Sequence, residues 1–395
     1  MKLPPVDGPL PANTSAAWGI PIFYAVAVLA RTSVIVVIPT LAFRYLGEAS
    51  LVSAIYFIAS VGGLLTSTVL PAVLKAIGPW WLTIGAGLMG GVSGILFTVP
   101  GSVPLTLGLA SYFLMVQLFE TASNIYALSM IPRRSLARFE PRRIMLAGAA
   151  YGIGPLIGTF LLRHGPEWSP FAISAACAFL APFVLVFLVD NVRTPMIMPI
   201  ASTKQEFAIK QFLRQPRLRL AWVLAIGRAA WWQVFFVYTP ILIVAAEYDP
   251  SYTGAIAGIA SGLLLLSPIW GMFMRRIGLR RYLTVTYAVC GIATAIVGFV
   301  TEWSFTWAII ALMFAALVAS GIDSAGNAPF LRSVKNRDRL RMVPIYNTYR
   351  EISQIIPAAI FTIVLMFQSV SQVFLWVGLS LLILSFYCRN LPRRT

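Results

Sequence analysis

The chain has 395 residues, of which 59% are hydrophobic and only 11% charged, with a mean hydropathy of +0.83. These values exclude an ordinary soluble domain and any disordered class. The net charge of +17 admits either a nucleic-acid partner or the positive-inside rule of membrane proteins, and its distribution along the chain decides between them.

Lipid offers no partners to backbone polar groups, and barrel strands alternate in polarity, so long unbroken apolar runs mean spanning helices. Read against a span of about 20 residues, the runs fall at 18–43, 50–73, 80–98, 104–130, 144–163, 169–190, 219–245, 252–273, 282–300, 304–328, 343–366 and 370–388. The first is too long for a signal-peptide core and is expected to be retained as a helix. The sequon Asn13-Thr14-Ser15 precedes it on the side of the basic loops, where no role is expected for it.

The breaks after odd-numbered runs hold Arg44, Glu48, Arg163, His164, Glu167, Glu247, Asp249 and Glu302, a short and mostly acidic set. The other side carries Lys75, then Arg133, Arg134, Arg138, Arg142 and Arg143, then Arg193, Lys204, Lys210, Arg214, Arg217 and Arg219. It continues through Arg275, Arg276, Arg280 and Arg281, then Arg332, Lys335, Arg337, Arg339 and Arg341, to Arg389, Arg393 and Arg394. The basic excess is therefore topological. It places both termini in the cytoplasm and the basic loops against anionic lipid headgroups. Nucleic acid is not an expected partner, because no aromatic residues interleave these runs and they flank membrane helices.

The ionisable residues inside the apolar runs fall mainly on the first, fourth, seventh and tenth: Arg31, Glu120, Arg228 and Asp323. A charge at the bilayer centre costs about 2.5 to 3.5 kcal/mol on insertion scales, so it persists where a partner or a wet cavity compensates it. Helical spacing extends each site, since Gln117, Glu120 and Asn124 lie at i, i+3 and i+7, as do Ser320, Asp323 and Asn327. Arg228 shares a face with Trp231 and Trp232, available for stacking on a solute or on the arginine itself. The run at 343–366 adds Asn347, Arg350, Glu351 and Gln354 on one face. Arg350 and Glu351 lie near the cytoplasmic end, and a gate that bridges to Arg275 or Arg276 is the preferred reading for them.

The polar stretch 191–218 divides the chain into 1–190 and 219–395, each holding six runs. Segments 53–81 and 253–281 align at an offset near two hundred residues, pairing Gly62 with Gly262 and Gly78 with Gly278. Glu120-Thr121-Ala122-Ser123-Asn124 matches Asp323-Ser324-Ala325-Gly326-Asn327, and Pro155 corresponds to Pro357. The expected fold is an all-α polytopic membrane protein of twelve transmembrane helices in two pseudo-symmetric six-helix bundles.

At this point the residues resemble the major facilitator superfamily. Its signature loop G-x-x-x-D-R-x-G-x-R-R is similar to GMFMRRIGLRR after the eighth run, through Gly271, Arg276, Gly278, Arg280 and Arg281, with Arg275 where the acid stands in the family. The loop after the second run, PAVLKAIGPWW, keeps Gly78 and a displaced Lys75. Gly154, Pro155 and Gly158 resemble a motif found in antiporters of the superfamily, with Ala150 in place of a glycine.

The resemblance implies a central cavity lined by the first, fourth, seventh and tenth helices, and a secondary transporter of a small polar or amphipathic solute working by alternating access. Organic-phosphate antiporters of the superfamily hold their anion between two arginines placed as Arg31 and Arg228 are, which implies an anionic or zwitterionic substrate. Proton coupling is expected, with Glu120 or Asp323 as carrier. The bland alternative makes Arg31 with Glu120, and Arg228 with Asp323, structural bridges within each half. Arg275, Arg276, Gly278, Arg280, Arg281, Arg350 and Glu351 form the expected cytoplasmic gate. The other functions weighed are a drug or metabolite efflux antiporter and a non-transporting assembly factor or sensor. No cofactor or metal is expected, the three cysteines read as small apolar residues, and no Walker loop or nucleophile triad is present. The protein is expected to be a multi-pass monomer, in the inner membrane if bacterial.

Overall fold

A computed structural model of the chain describes residues 14–131, 136–190, 192, 205–334 and 339–391. Asn13 and Arg133, Arg134, Arg193, Lys204, Lys335, Arg337, Arg393 and Arg394 among the basic set lie outside the described residues, as do residues 191 and 193–204 of the linker 191–218.

The described residues form helices and no strand. In chain order they are α1 (Thr14–Thr32), α2 (Val37–Leu46), α3 (Ala49–Leu96), α4 (Ser102–Met130), α5 (Leu136–His164) and α6 (Ser169–Leu188). Then come a short helix α7 (Gln205–Leu213), α8 (Pro216–Ala245), α9 (Ser251–Gly262), a 3-10 turn (Leu263–Leu266), α10 (Ser267–Ile277) and α11 (Leu279–Val300). The last are α12 (Phe305–Ala325), α13 (Ala328–Ser333), α14 (Arg339–Asn347), α15 (Tyr349–Val364) and α16 (Ser371–Cys388).

Ten helical stretches among the described residues are long and apolar enough to cross a membrane. The two further runs expected from the sequence are helical as well but divided differently. The run at 80–98 is the second half of α3, joined to the first half across a kink at Gly78, and the run at 343–366 is shared by α14 and α15. Gly78 (φ 80°, ψ 168°) and Gly278 (φ 82°, ψ 144°) turn the chain in the same way at positions two hundred residues apart. Such a backbone suits glycine alone, so the duplication read in the sequence has a structural counterpart at these loops.

Prolines account for three interruptions that hydropathy does not register. Proline has no N–H for the carbonyl four residues back and crowds it. Pro39 thus deprives Ile35, inside the turn Ser33–Val36 that separates α1 from α2. Pro268 deprives Leu264 within the 3-10 turn, where the Ser267 hydroxyl donates to the Leu264 carbonyl instead at 2.6 Å. Pro329 deprives Ala325, the last residue of α12, and Gly326 (φ 51°, ψ −128°) turns the chain into α13.

Packing falls into two groups, α1 to α6 and α8 to α16, with cross-contacts between α5 and α9, α15 and α3, and α2 and α8. Within the first group the broken stretch after α1 is clamped by α5. Thr32 donates its hydroxyl to the Ala150 carbonyl at 2.9 Å, and a Cβ at Gly158 would stand 1.7 Å from the Ser33 carbonyl oxygen. The glycine and proline stretch 154–158 thus has a packing role, in line with the use of small residues where membrane helices approach closely.

Gly158→Ala is expected to force α5 away from the Ser33 turn and to destabilise the protein by about 1–3 kcal/mol. Gly62→Ala, with nothing within 4 Å of the new Cβ, is expected to be neutral or slightly stabilising. Thermal unfolding of the two variants in detergent checks the contrast, and equal effects would contradict the clamp.

Candidate functional site

A chamber of about 940 Å³ lies between the two helix groups, lined by residues of α3, α4, α5, α8, α12, α14 and α15 together with Arg31, Ile35 and Ile38. Six of its lining side chains are ionisable as acid or guanidinium: Arg31, Glu120, Arg228, Asp323, Arg350 and Glu351. Helix geometry brings them together from helices far apart in sequence, and each carries a different set of partners.

Glu120 sits between two arginines. Its Oε1 is 3.6 Å from Arg31 Nη1, and its Oε2 accepts from Arg350 Nη1 at 2.7 Å. Arg31 belongs to the same helix group as Glu120, whereas Arg350 comes from α15 in the other, so one carboxylate ties the groups together across the chamber. Arg31 also lies over the Tyr151 ring, 5.7 Å from its centroid.

The second cluster is built on Asp323. Arg228 Nε is 3.5 Å from Asp323 Oδ1, and the Trp232 indole N–H donates to Oδ2. Arg228 stacks over Tyr349 at 5.7 Å, and the Tyr349 hydroxyl accepts from both Arg228 and Arg350 at 3.5 Å. Both intra-half pairs named in the sequence therefore form, and Arg350 adds the link between halves that helical spacing does not encode.

The other sequence candidates divide. Gln117 and Asn124 line the chamber, with Gln117 accepting from Thr66 at 3.0 Å and Asn124 accepting from Arg143 at 2.8 Å. Asn347 and Gln354 line it too. Trp231 does not. It is buried, donates to Thr294 at 2.9 Å and stacks on Phe235. Neighbouring residues on a helix point about 100° apart, so Trp232 takes the chamber face and Trp231 the core. Ser320 is fully buried under Trp270, which donates to it at 3.0 Å. Asn327 stands at the break after α12, where Tyr346 donates to it at 3.2 Å. The stripe that stays regular on α4 is thus dispersed on α12, where Trp270 covers Ser320 and the turn at Gly326 carries Asn327 away.

Arg275 and Arg276 end α10, Gly278 forms the turn, and Arg280 and Arg281 begin α11, all at the basic end. Arg350 is not among them. It reaches Glu120 in the chamber, and Glu351 lines the same wall. Among the lining residues that the sequence reading did not single out are Tyr112, Tyr151, Gln233 and Tyr349. The signal for Tyr349 was its place beside Arg350 at the start of an apolar helix, since a phenol suits the border between charge and lipid.

Near the acidic loops the groups are in contact. Ser53 and Tyr238 share a hydrogen bond of 2.7 Å, and a Cβ at Gly254 would stand 1.8 Å from the Thr159 hydroxyl. Arg163 reaches Asp249 at 3.7 Å and Ser251 at 3.3 Å. The Ser251 backbone N–H donates to Asp249 Oδ1 at 2.8 Å and holds that carboxyl below its ordinary range, with Arg163 adding to the effect. In the opposite direction the lining runs on to Leu70, Leu74, Asn124 and Val343, toward the basic loops. No group of three or more metal-ligating side chains occurs among the described residues.

The Major Facilitator Superfamily profile matches residues 21–358. No curated protein matches the sequence. Among solved structures, the nucleoside transporter NupG superposes with a TM-score of 0.74 at 12% identity, over 95% of this chain and 98% of that one. A POT family transporter in complex with 5-aminolevulinic acid gives a TM-score of 0.72 at 11% identity, over 94% of this chain and 95% of that one. A bacterial homologue of the iron transporter ferroportin, in an inward-facing state, gives 0.70 at 15% identity, over 95% and 99%. At these identities the likeness is one of fold.

A double-mutant cycle on Glu120→Gln and Arg350→Gln is expected to give a coupling free energy of about 0.5–3 kcal/mol. The same cycle on Glu120 with Arg31 is expected to give less, because that contact is 0.9 Å longer (3.6 against 2.7 Å). Unfolding free energies in mixed micelles provide the measurement, and additive single effects for Glu120 and Arg350 would contradict the cross-chamber pair.

Proposed function

The chain belongs to the Major Facilitator Superfamily, and from that premise we propose that it is a secondary active transporter moving a small polar organic solute with an anionic group by alternating access. As a family member it is an integral multi-pass membrane protein and a transporter rather than an enzyme. In this reading twelve helices span the membrane as two halves of six, both termini and the basic loops face the cytoplasm, and the chamber is captured with its cytoplasmic side accessible.

The observation that carries the substrate class is the Arg31, Glu120 and Arg350 cluster. Two guanidinium groups share one carboxylate there, so the cluster keeps one positive charge beyond its own pairing. An incoming carboxylate or phosphate competes with Glu120 for the same donors, and arginine suits it because its planar fork matches such groups. The arginine pair inferred from sequence, Arg31 with Arg228, is less available, since Arg228 is already engaged by Asp323. Tyr151, Tyr349 and Trp232 offer flat faces around this charge, and the volume lies within the usual range for small-molecule sites, roughly 300–1,000 Å³.

Proton coupling is supported by the three carboxylates in the chamber, Glu120, Asp323 and Glu351. When a solute anion relieves Glu120 of Arg350, the tie across the chamber is released and the halves are free to rock. Arg275, Arg276, Arg280 and Arg281, at the mouth, serve as the cytoplasmic gate.

The test is uptake into proteoliposomes with an imposed pH gradient, using a panel of organic monoanions, dianions, zwitterions and cationic drugs. At least one anion or zwitterion is expected to accumulate. Arg350→Ala and Arg31→Ala are each expected to reduce its initial rate at least about tenfold, equivalent to 1.4 kcal/mol. Movement of cationic drugs alone, or a wild-type rate in Arg350→Ala, would overturn this assignment.

A further inference from the structure

The three chamber carboxylates are not equivalent. Both oxygens of Glu120 face a guanidinium nitrogen, and both oxygens of Asp323 face a donor, Arg228 on one side and Trp232 on the other. Glu351 has no such company. Its Oε2 is buried without any hydrogen-bond partner among the described residues.

Among the described side chains, the charged groups acting on Glu351 are Arg350 from its own helix and Glu120 from α4. Arg350 directs its Nη1 to Glu120, and residues adjacent on a helix do not face one another. The helices packed against α15 are α3 and α8. From α8 comes Arg228, engaged by Asp323, and from α3 the titratable group among the described chamber-lining side chains is the phenol of Tyr56. Tyr349 already accepts from two arginines. An ionised carboxylate oxygen buried away from any donor is unfavourable, and such a group neutralises instead.

We propose that Glu351 is the proton-carrying carboxyl of the chamber and is protonated in the conformation seen here, whereas Glu120 and Asp323 act as partners for arginine. The charge balance then fixes a stoichiometry. Three guanidinium groups and two carboxylates leave the chamber at +1, which one monoanion neutralises. The proton joins the Glu351 carboxylate from water on one side and leaves to water on the other, and no bond of the solute is made or broken. One proton and one monoanion therefore move together without net charge. The coupling part of this inference rests on the proposed transport of an anion; the protonation state of Glu351 does not.

Infrared difference spectroscopy of the full chain in lipid nanodiscs, between neutral and alkaline pH, reads the carboxyl group directly. Wild type is expected to show a protonated-carboxyl carbonyl band at neutral pH that gives way to carboxylate bands on alkalinisation. The band is expected to vanish in Glu351→Gln, to shift in frequency in Glu351→Asp, and to remain in Asp323→Asn. A titrating band that persists in Glu351→Gln, or is absent from wild type, overturns the proposal. If Glu351→Gln does not fold, an unshifted band in Glu351→Asp overturns it equally.

For any monoanion that the uptake panel identifies, a potassium and valinomycin potential is expected to change the initial rate less than twofold, while reversal of the pH gradient abolishes accumulation. A tenfold response to potential overturns the stoichiometry. Absence of transport for every anion would sink the transport reading, with the infrared result still deciding the state of Glu351.

Discussion

Lipid supplies neither hydrogen-bond partners nor counter-charges, and that single constraint organises this molecule. Every backbone group within the membrane must be satisfied along the chain, so the spanning stretches among the described residues are helical and no strand occurs among them. Every ionisable side chain at that depth needs either a partner or water. Arg31, Glu120, Arg228, Asp323, Arg350 and Glu351 meet that need by collecting in one chamber between the helix groups. The chamber is thus a consequence of where charge can survive as well as a place where a charged solute can be held.

The seal at the acidic end has a different physical character. Its polar component, Arg163 with Asp249, is exposed on both sides at 56% and 42%, and ion pairs in such settings contribute about 0–1 kcal/mol. The remainder is close packing, as at Gly254 and Thr159, with the Ser53 and Tyr238 hydrogen bond. Contacts of this kind hold by fit rather than by deep electrostatic wells, so in the proposed cycle they are the ones that a shift of a few kcal/mol has to undo. That is the energy scale on which differential binding of a ligand shifts a two-state equilibrium.

Much of this was legible in the sequence because hydropathy and charge distribution report on lipid and on topology directly. The helix positions, the paired glycines 78 and 278, and the pairs Arg31 with Glu120 and Arg228 with Asp323 all follow from one-dimensional regularities. What escaped was set by local breaks and by relations between halves. Pro39, Pro268 and Pro329 interrupt helices whose hydropathy is continuous, and Trp270 covers Ser320 while the turn at Gly326 removes Asn327 from a stripe that Gln117 and Asn124 keep on α4. Trp231 and Trp232 are alike in composition, and only the angular step between neighbours separates core from chamber. Arg350 reads as a residue near a helix end. That it crosses to Glu120 depends on how α15 leans on α3, which no spacing within either helix encodes.

The duplication therefore supplied the frame, and departures from it supply the specificity. Two identical halves would offer two equivalent carboxylates, each with one arginine, and a neutral chamber with no preference for charge. Here the third arginine lies on Glu120 and the third acid stands apart from it on the same wall. That displacement separates two tasks which a single paired carboxylate performs badly. Glu120 is held by two guanidinium groups, one from each helix group, which position it as the tie across the chamber. In the proposed cycle the acid outside that embrace takes up the proton, and the cluster it leaves behind keeps a positive charge for the solute anion. On that proposal the asymmetry between Glu120 and Glu351, rather than the symmetry of Glu120 and Asp323, links proton to cargo.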